Sequence, residues 1–244
     1  MSNSLKQLAR SCFKPVLRGI KSLPFVRILQ PYKTVRYCDI DVYYKDFLDG
    51  GGTYFGQDFI PFFRDRGMPV QARVYEWCSG PAFIAFSMLA HKFCDSLCLA
   101  DVNPAAVKAA RMAVGRNGLA DKVAVYHSDN LSGIPSHERW DLVVSNPPHF
   151  DDMFVGQIRS YDEGWNLHRA FLRDVQKFLA PNGVIVLQEN NEGSTVETFR
   201  GMIEAAGLKI IFTQHDKPQR TPTEHYFYLG IMRRDDTPPA WAHA

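Results

Sequence analysis

From residue 71 onward, short apolar runs alternate with stretches whose apolar positions recur every three or four residues. Arg73–Trp77, Ser96–Asp101, Lys122–His127, Trp140–Ser145 and Val184–Gln188 are compact apolar runs bounded by turn residues, which predicts five strands. Phe83–Phe93, Asn103–Asn117, Asn166–Leu179 and Thr195–Ala206 predict helices between them. The punctuation agrees. Asn103 is a helix cap followed by Pro104 at the first helical position, Gly118 closes that helix, Pro181-Asn182-Gly183 ends the next and Gly207 the last. Two further strands, Lys209–Gln214 and Tyr226–Met232, follow with no helix between them. Strand–helix alternation implies a parallel sheet covered on both faces. The fold class expected for residues 71–234 is therefore α/β: a doubly wound, mostly parallel seven-stranded sheet with an antiparallel strand at one edge.

The flanks read differently. Residues 1–38 form a basic arm with eight Lys or Arg and no carboxylate. Of the 28 basic residues in the chain, that leaves 20 from Asp39 onward against 26 acidic ones. Within the arm, Leu5, Leu8, Cys12, Phe13, Val16, Leu17 and Ile20 recur at helical spacing, so residues 4–22 predict an amphipathic helix, interrupted at Pro15. Such a helix packs on the main domain, binds RNA phosphates, lies on a membrane surface or serves as an organelle-targeting peptide. Residues 39–70 contain Gly50-Gly51-Gly52, a lid or a linker. Residues 235–244, with Pro238-Pro239, read as a loose tail.

Composition narrows the class. A chain of 244 residues, 45% hydrophobic, suits one domain with an extension or two small ones. No apolar run approaches a membrane span. Five cysteines without Cys-x-x-Cys spacing argue against a disulfide framework or a metal site, and place the expected location in the cytoplasm.

The chemistry concentrates at predicted strand ends. Asn146-Pro147-Pro148-His149 follows the fourth strand. Each proline fixes φ and removes an N–H, which leaves a rigid tip rich in acceptors: the Asn146 amide and the exposed carbonyls. Such a tip can take both hydrogens of a planar –NH2 group and aim its lone pair. His149 is flat enough to stack on that group and can take a proton near neutral pH. The turn after strand one is Glu76-x-Cys78-Ser79-Gly80-Pro81-Ala82. Asp101 ends strand two, and Ser128-Asp129-Asn130 follow strand three. A nicotinamide site would need Gly-x-Gly-x-x-Gly at the first turn, which residues 78–83 do not supply, and no P-loop is present.

The four-residue tip resembles the Asn-Pro-Pro-aromatic (NPP) signature of class I methyltransferases that use S-adenosyl-L-methionine (SAM). The turn at Glu76 is similar to their acidic-x-Gly-x-Gly-x-Gly loop, with Cys78 and Ala82 at two glycine positions. Residues 162–169 and 179–189 resemble the corresponding stretches of HemK-like glutamine methyltransferases and small-domain RNA N-methyltransferases. The resemblance spans about Arg73 to Arg234 and implies a Rossmann-like sheet whose closing strands set it apart from a dinucleotide-binding one. It implies SAM as cofactor, held by Glu76, Cys78, Gly80, Asp101, Asn103, Asp129 and Asn130. Within that set, Asp101 would take the ribose hydroxyls, while Asp129 and Asn130 would take the adenine. Asn146, Pro147 and His149 are the expected catalytic residues, and Phe150, Phe55 and Gln57 would face the acceptor. The implied activity is N-methylation of RNA or protein, with RNA favoured by the basic arm. A small amine metabolite as acceptor and a non-catalytic SAM-fold subunit are the alternatives. No Pro-Cys pair, the mark of cytosine C5 methylation, occurs.

Overall fold

The computed structural model describes residues 30–48, 53–151, 161–215 and 226–243. The helix expected over 4–22 and the glycine run at 50–52 lie outside them. In chain order the elements are β1 (Lys33–Tyr37), β2 (Ile40–Tyr44), α1 (Phe55–Asp65), β3 (Gln71–Glu76), α2 (Phe83–Ala90), β4 (Cys94–Asp101), α3 (Pro104–Arg116), β5 (Val123–His127), β6 (Trp140–Ser145), α4 (Asn166–Val175), β7 (Leu179–Asn190), α5 (Val196–Ala205), β8 (Leu208–His215) and β9 (Tyr226–Arg233).

The seven strands β3–β9 form one sheet in the order β5-β4-β3-β6-β7-β9-β8. β3 to β7 run parallel. β9 runs antiparallel to both β7 and β8, so the reversed strand is slotted between β7 and the edge strand. This is the expected doubly wound sheet with its antiparallel pair at one edge. Strand order reverses between β3 and β6, and the carboxyl ends of those strands open onto the switch-point crevice where ligands of such sheets bind.

Alternate strand residues serve opposite faces. Val74, Leu97, Leu99, Leu142, Val144 and Val184 join one core with residues of α1, α2 and the β1–β2 hairpin. Their neighbours Tyr75, Cys98, Val143 and Ile185 join a second core with Phe171 and Val175 of α4 and Phe199 and Ile203 of α5. Burial on both sides explains why the strands read as unbroken apolar runs.

Three segments differ from the sequence expectation. The β1–β2 hairpin straddles residue 38, the expected end of the arm. Its alternation of Val35, Tyr37, Ile40 and Val42 signals strands, but the turn at Cys38-Asp39 lacks glycine, and Cys38 takes φ 48° itself. Residues 55–65 form helix α1 rather than lid or linker, buried through Phe59, Ile60, Phe62 and Phe63. The tail is anchored, not loose. Residues 240–243 make a 3-10 turn with Trp241 6% exposed. The Arg66 guanidinium lies over the Phe62 and Phe212 rings and donates to the carbonyls of Trp241 and Ala242 at 3.3 and 3.2 Å.

Candidate active site

A cavity of about 320 Å³ opens at the switch point, at the small end of the range for ligand sites. Its lining includes Glu76, Cys78 and Gly80 after β3, Asp101 and Asn103 after β4, Asp129 and Asn130 after β5, and Asn146, Pro147 and His149 after β6. The ten residues expected for cofactor and catalysis from these four strand ends thus meet in one crevice.

The turn after β3 explains its own residue pattern. Cys78, Gly80 and Ala82 have φ of 51°, 51° and 64°. These are the three positions where the resembling families carry glycine, and all three need the left-handed conformation that glycine adopts most easily. A Cβ on Gly80 would stand 3.1 Å from the Leu48 carbonyl oxygen, so the backbone there is closely roofed. Glu76 is 3% exposed, and its Oε2 accepts the Ala85 N–H at 2.7 Å, which ties the strand to the first turn of α2. Burial pushes its carboxyl up to about 8, against the pull of the Ala85 and Ile84 N–H groups.

Asp101 clamps the next two loops. Its Oδ2 accepts the Gly80 N–H and its Oδ1 the Asn103 N–H, both at 2.7 Å. Burial raises this carboxyl as well, opposed by those two N–H groups. Each oxygen keeps a further acceptor site. Asn103 spends its side-chain oxygen on the Ala105 N–H as the cap of α3. Asn130, at φ 50°, accepts from the Trp77 indole at 3.1 Å and donates to the Leu167 carbonyl at 3.3 Å. Its side chain shapes the wall by joining the turns after β3 and β5 to the start of α4. Asp129 is exposed at the rim.

At the double-proline tip, Asn146 Nδ2 donates to Gln188 Oε1 at 2.9 Å. His149 is 6% exposed, and its Nδ1–H donates to the Pro147 carbonyl at 3.1 Å. Burial lowers its pKa to about 4, only partly offset by that bond. The ring is therefore neutral at physiological pH, which corrects the expectation of a proton acceptor titrating near neutrality.

Two of the three expected acceptor-facing residues, Phe150 and Gln57, are not gathered there. Phe150 is 6% exposed and absent from the lining; it pairs with Tyr161 and packs against Gly193. Gln57 is exposed on α1 and lines no part of the cavity, while the Phe55 side chain lies outside the described residues. The roof belongs to Phe47 and Leu48, just after the hairpin, with Ala106 and Leu167 beside them. Phe47-Leu48 carried no motif; its signal was only an apolar pair ahead of the glycine run.

Behind the site, His168 is fully buried between two acids, with Nδ1 2.7 Å from Asp162 Oδ2 and Nε2 3.1 Å from Glu189 Oε1. Burial opposes its charge, but the facing Glu189 and the bonds to both carboxylates raise it to about 9. The two acids shift oppositely. Asp162 also accepts the Leu167 and His168 backbone N–H groups and is lowered, whereas Glu189 has one oxygen without a partner and is raised by burial.

Comparison with known proteins agrees with this geometry. Residues 41–215 match the model of the methyltransferase small domain family. The chain belongs to that family. It is similar to the ribosomal protein uL3 glutamine methyltransferase of Neisseria gonorrhoeae, 28% identical over 149 residues, covering 56% of this chain and 46% of that protein. It is also similar to the release factor glutamine methyltransferase of Cereibacter sphaeroides, 29% identical over 151 residues, covering 56% and 52%. The chain spans about half the length of the curated relatives it matches. In fold it resembles the T. thermophilus 16S rRNA N2 G1207 methyltransferase solved with AdoMet and guanosine, at TM-score 0.55 and 17% identity, covering 84% of this chain and 50% of that one. Among the described residues, no helix is long and apolar enough to cross a membrane.

Proposed function

We propose that this chain is a SAM-dependent N-methyltransferase acting on a planar amide nitrogen, the glutamine side chain of a protein being the favoured acceptor. The observation that carries the reading is the charge of the cavity. Among the described residues, its lining holds three carboxyl side chains, Glu76, Asp101 and Asp129, of which Glu76 ionises in favour of a bound cation, and no Lys or Arg. A dinucleotide or nucleoside triphosphate would bring phosphates into that acidic cleft without a cationic partner. A nucleoside carrying a sulfonium and an ammonium group suits it. The closely roofed Gly80 backbone and the free acceptor sites of Asp101 fit the same group.

When bound, that cofactor supplies an electrophilic methyl group. The chain's residues then have separate tasks. Asp101 would accept from the ribose hydroxyls, and Phe47 and Leu48 would cover the cofactor. Asn146 Oδ1 and the second acceptor site of the Pro147 carbonyl take the two hydrogens of the acceptor amide. This draws its delocalised lone pair out of the plane and toward the methyl group. The neutral His149 ring offers a flat face to the amide. The proton released by the acceptor nitrogen would pass to water at the cavity mouth.

The relatives' names support a protein glutamine acceptor; the basic arm, mostly outside the described residues, supports RNA. Incubation with methyl-labelled SAM and separated ribosomal-protein, release-factor and RNA fractions distinguishes them. Label in a protein fraction, lost with Asn146→Ala, is the expected result. Label confined to RNA would move the acceptor to a nucleobase. Label in none of the fractions, or undiminished by Asn146→Ala, would sink the proposal.

A further inference from the structure

Asn146 has a side chain with two different ends, and only one suits the proposed chemistry. An oxygen facing the cavity accepts the hydrogens of an amide; an –NH2 facing it would repel them. A strand tip followed by two prolines fixes the backbone but not which way that amide is turned.

The turn is set from behind. Asn146 Nδ2 donates to Gln188 Oε1 at 2.9 Å, and Gln188 Nε2 donates to the Tyr228 hydroxyl at 3.2 Å. Gln188 is fully buried on β7, and Tyr228 is 1% exposed on β9, in direct register with it. Tyr228 is in turn held by α1: its ring stacks on Phe62 with centroids 4.0 Å apart and meets Phe59 edge-on at 5.2 Å. A glutamine amide also has a donor end and an acceptor end. With the Gln188 nitrogen on the Tyr228 hydroxyl, its oxygen is the end that meets Asn146, and the Asn146 nitrogen faces it. The Asn146 oxygen is the end left for the cavity.

Resting on the proposed N-methyl transfer, we infer that Gln188 is a positioning residue: buried between Asn146 and Tyr228, it turns the Asn146 carbonyl oxygen toward the acceptor. Helix α1, from the segment read as a lid or linker, braces this relay through Phe59 and Phe62. A half-satisfied buried polar chain is costly, which gives the arrangement its rigidity.

The test compares two near-isosteric variants. Gln188→Glu keeps an acceptor toward Asn146 and a group that can bond Tyr228. Gln188→Met fills the volume and removes both bonds. With Gln188→Glu, kcat stays within about threefold of wild type. With Gln188→Met, kcat falls at least about thirtyfold, while SAM affinity by calorimetry stays within twofold. A second readout needs no turnover. The Asn146 side-chain NH2 resonances, assigned from their loss in Asn146→Asp, move to the position of an unbonded amide in Gln188→Met and stay in the hydrogen-bonded range in Gln188→Glu. Wild-type kcat in Gln188→Met, equal losses in both variants at matched melting temperatures, or Asn146 resonances unmoved by Gln188→Met would overturn the inference. If wild type binds no SAM, the proposed function fails, and the resonances still decide whether Gln188 orients Asn146.

Discussion

Gly193 lies against the carbonyl oxygen of His149 and the ring of Phe150 so closely that a Cβ placed there would overlap both. The loop after β7 thereby backs the strand tip that carries Asn146, and a side chain at this position must displace the tip or the loop behind it. Gly193→Ala is expected to cost about 1–3 kcal/mol of stability through overpacking. It is also expected to lower kcat at least about tenfold with SAM affinity unchanged, because the cofactor-side residues follow other strands. Paired kinetics and calorimetry check this. Wild-type turnover in the variant would show that the contact does not position His149.

The buried His168 pair makes stability depend on pH on the alkaline side. Its folded pKa, about 9, is raised above the ordinary value, so its contribution is complete below about pH 6.5 and is lost as pH rises through 9. Glu76, raised to about 8, acts in the same direction over a lower window, from about 4.5 to 8. The interval from pH 8 to 9 lies above the Glu76 window. The thiols of Cys78, Cys94 and Cys98, all pushed up by burial, add the same slope there to wild type and to a His168 variant, so the difference between the two reports His168. The melting temperature should fall across it in wild type and run flatter in His168→Gln, which keeps a hydrogen-bonding side chain but does not titrate. Parallel slopes in the two proteins would contradict the assignment.

The anchored tail gives a stability prediction. Trp241 is 6% exposed and meets Phe63 and Phe212 edge-on, under the Arg66 clamp. Trp241→Ala should cost about 3 kcal/mol and lower the melting temperature by roughly 6–12 °C. A shift under about 2 °C would show that the tail is dispensable.

Much of this was legible in the sequence, for physical reasons that also mark where reading fails. Strands buried on both faces leave unbroken apolar runs, so Trp140–Ser145 was placed to the residue and Asn103-Pro104 marked the start of α3. The strand-end motifs were readable because each site residue sits at the last position of a strand or within four residues past it. Phe47, Leu48, Gln188 and Gly193 were not, since their roles depend on register and close approach between segments far apart in the chain. Phe150 was misread because adjacency to the motif says nothing about which way a ring points. The tail was misread because Pro238-Pro239 marks a turn, and nothing local shows that Arg66 waits for the residues after it.

Glu76 links cofactor affinity to pH. A carboxyl held near 8 is mostly protonated at neutrality, and a cationic ligand favours its ionised form. SAM should therefore bind more tightly as pH rises from about 6 to 9, releasing a proton near pH 7. Calorimetry in buffers of different ionisation enthalpy reads that proton directly. Gln at position 76, in Glu76→Gln, should flatten the profile; an unchanged profile would remove Glu76 from the linkage.

The central claim is that one crevice holds the cofactor through Asp101 and orients the acceptor through Asn146. Calorimetric titration of SAM into wild type, Asp101→Ala and Asn146→Ala tests it most directly. Binding to wild type, weakened at least about tenfold in Asp101→Ala and unchanged within twofold in Asn146→Ala, is the predicted result. No binding to wild type, or equal weakening in both variants, would contradict it.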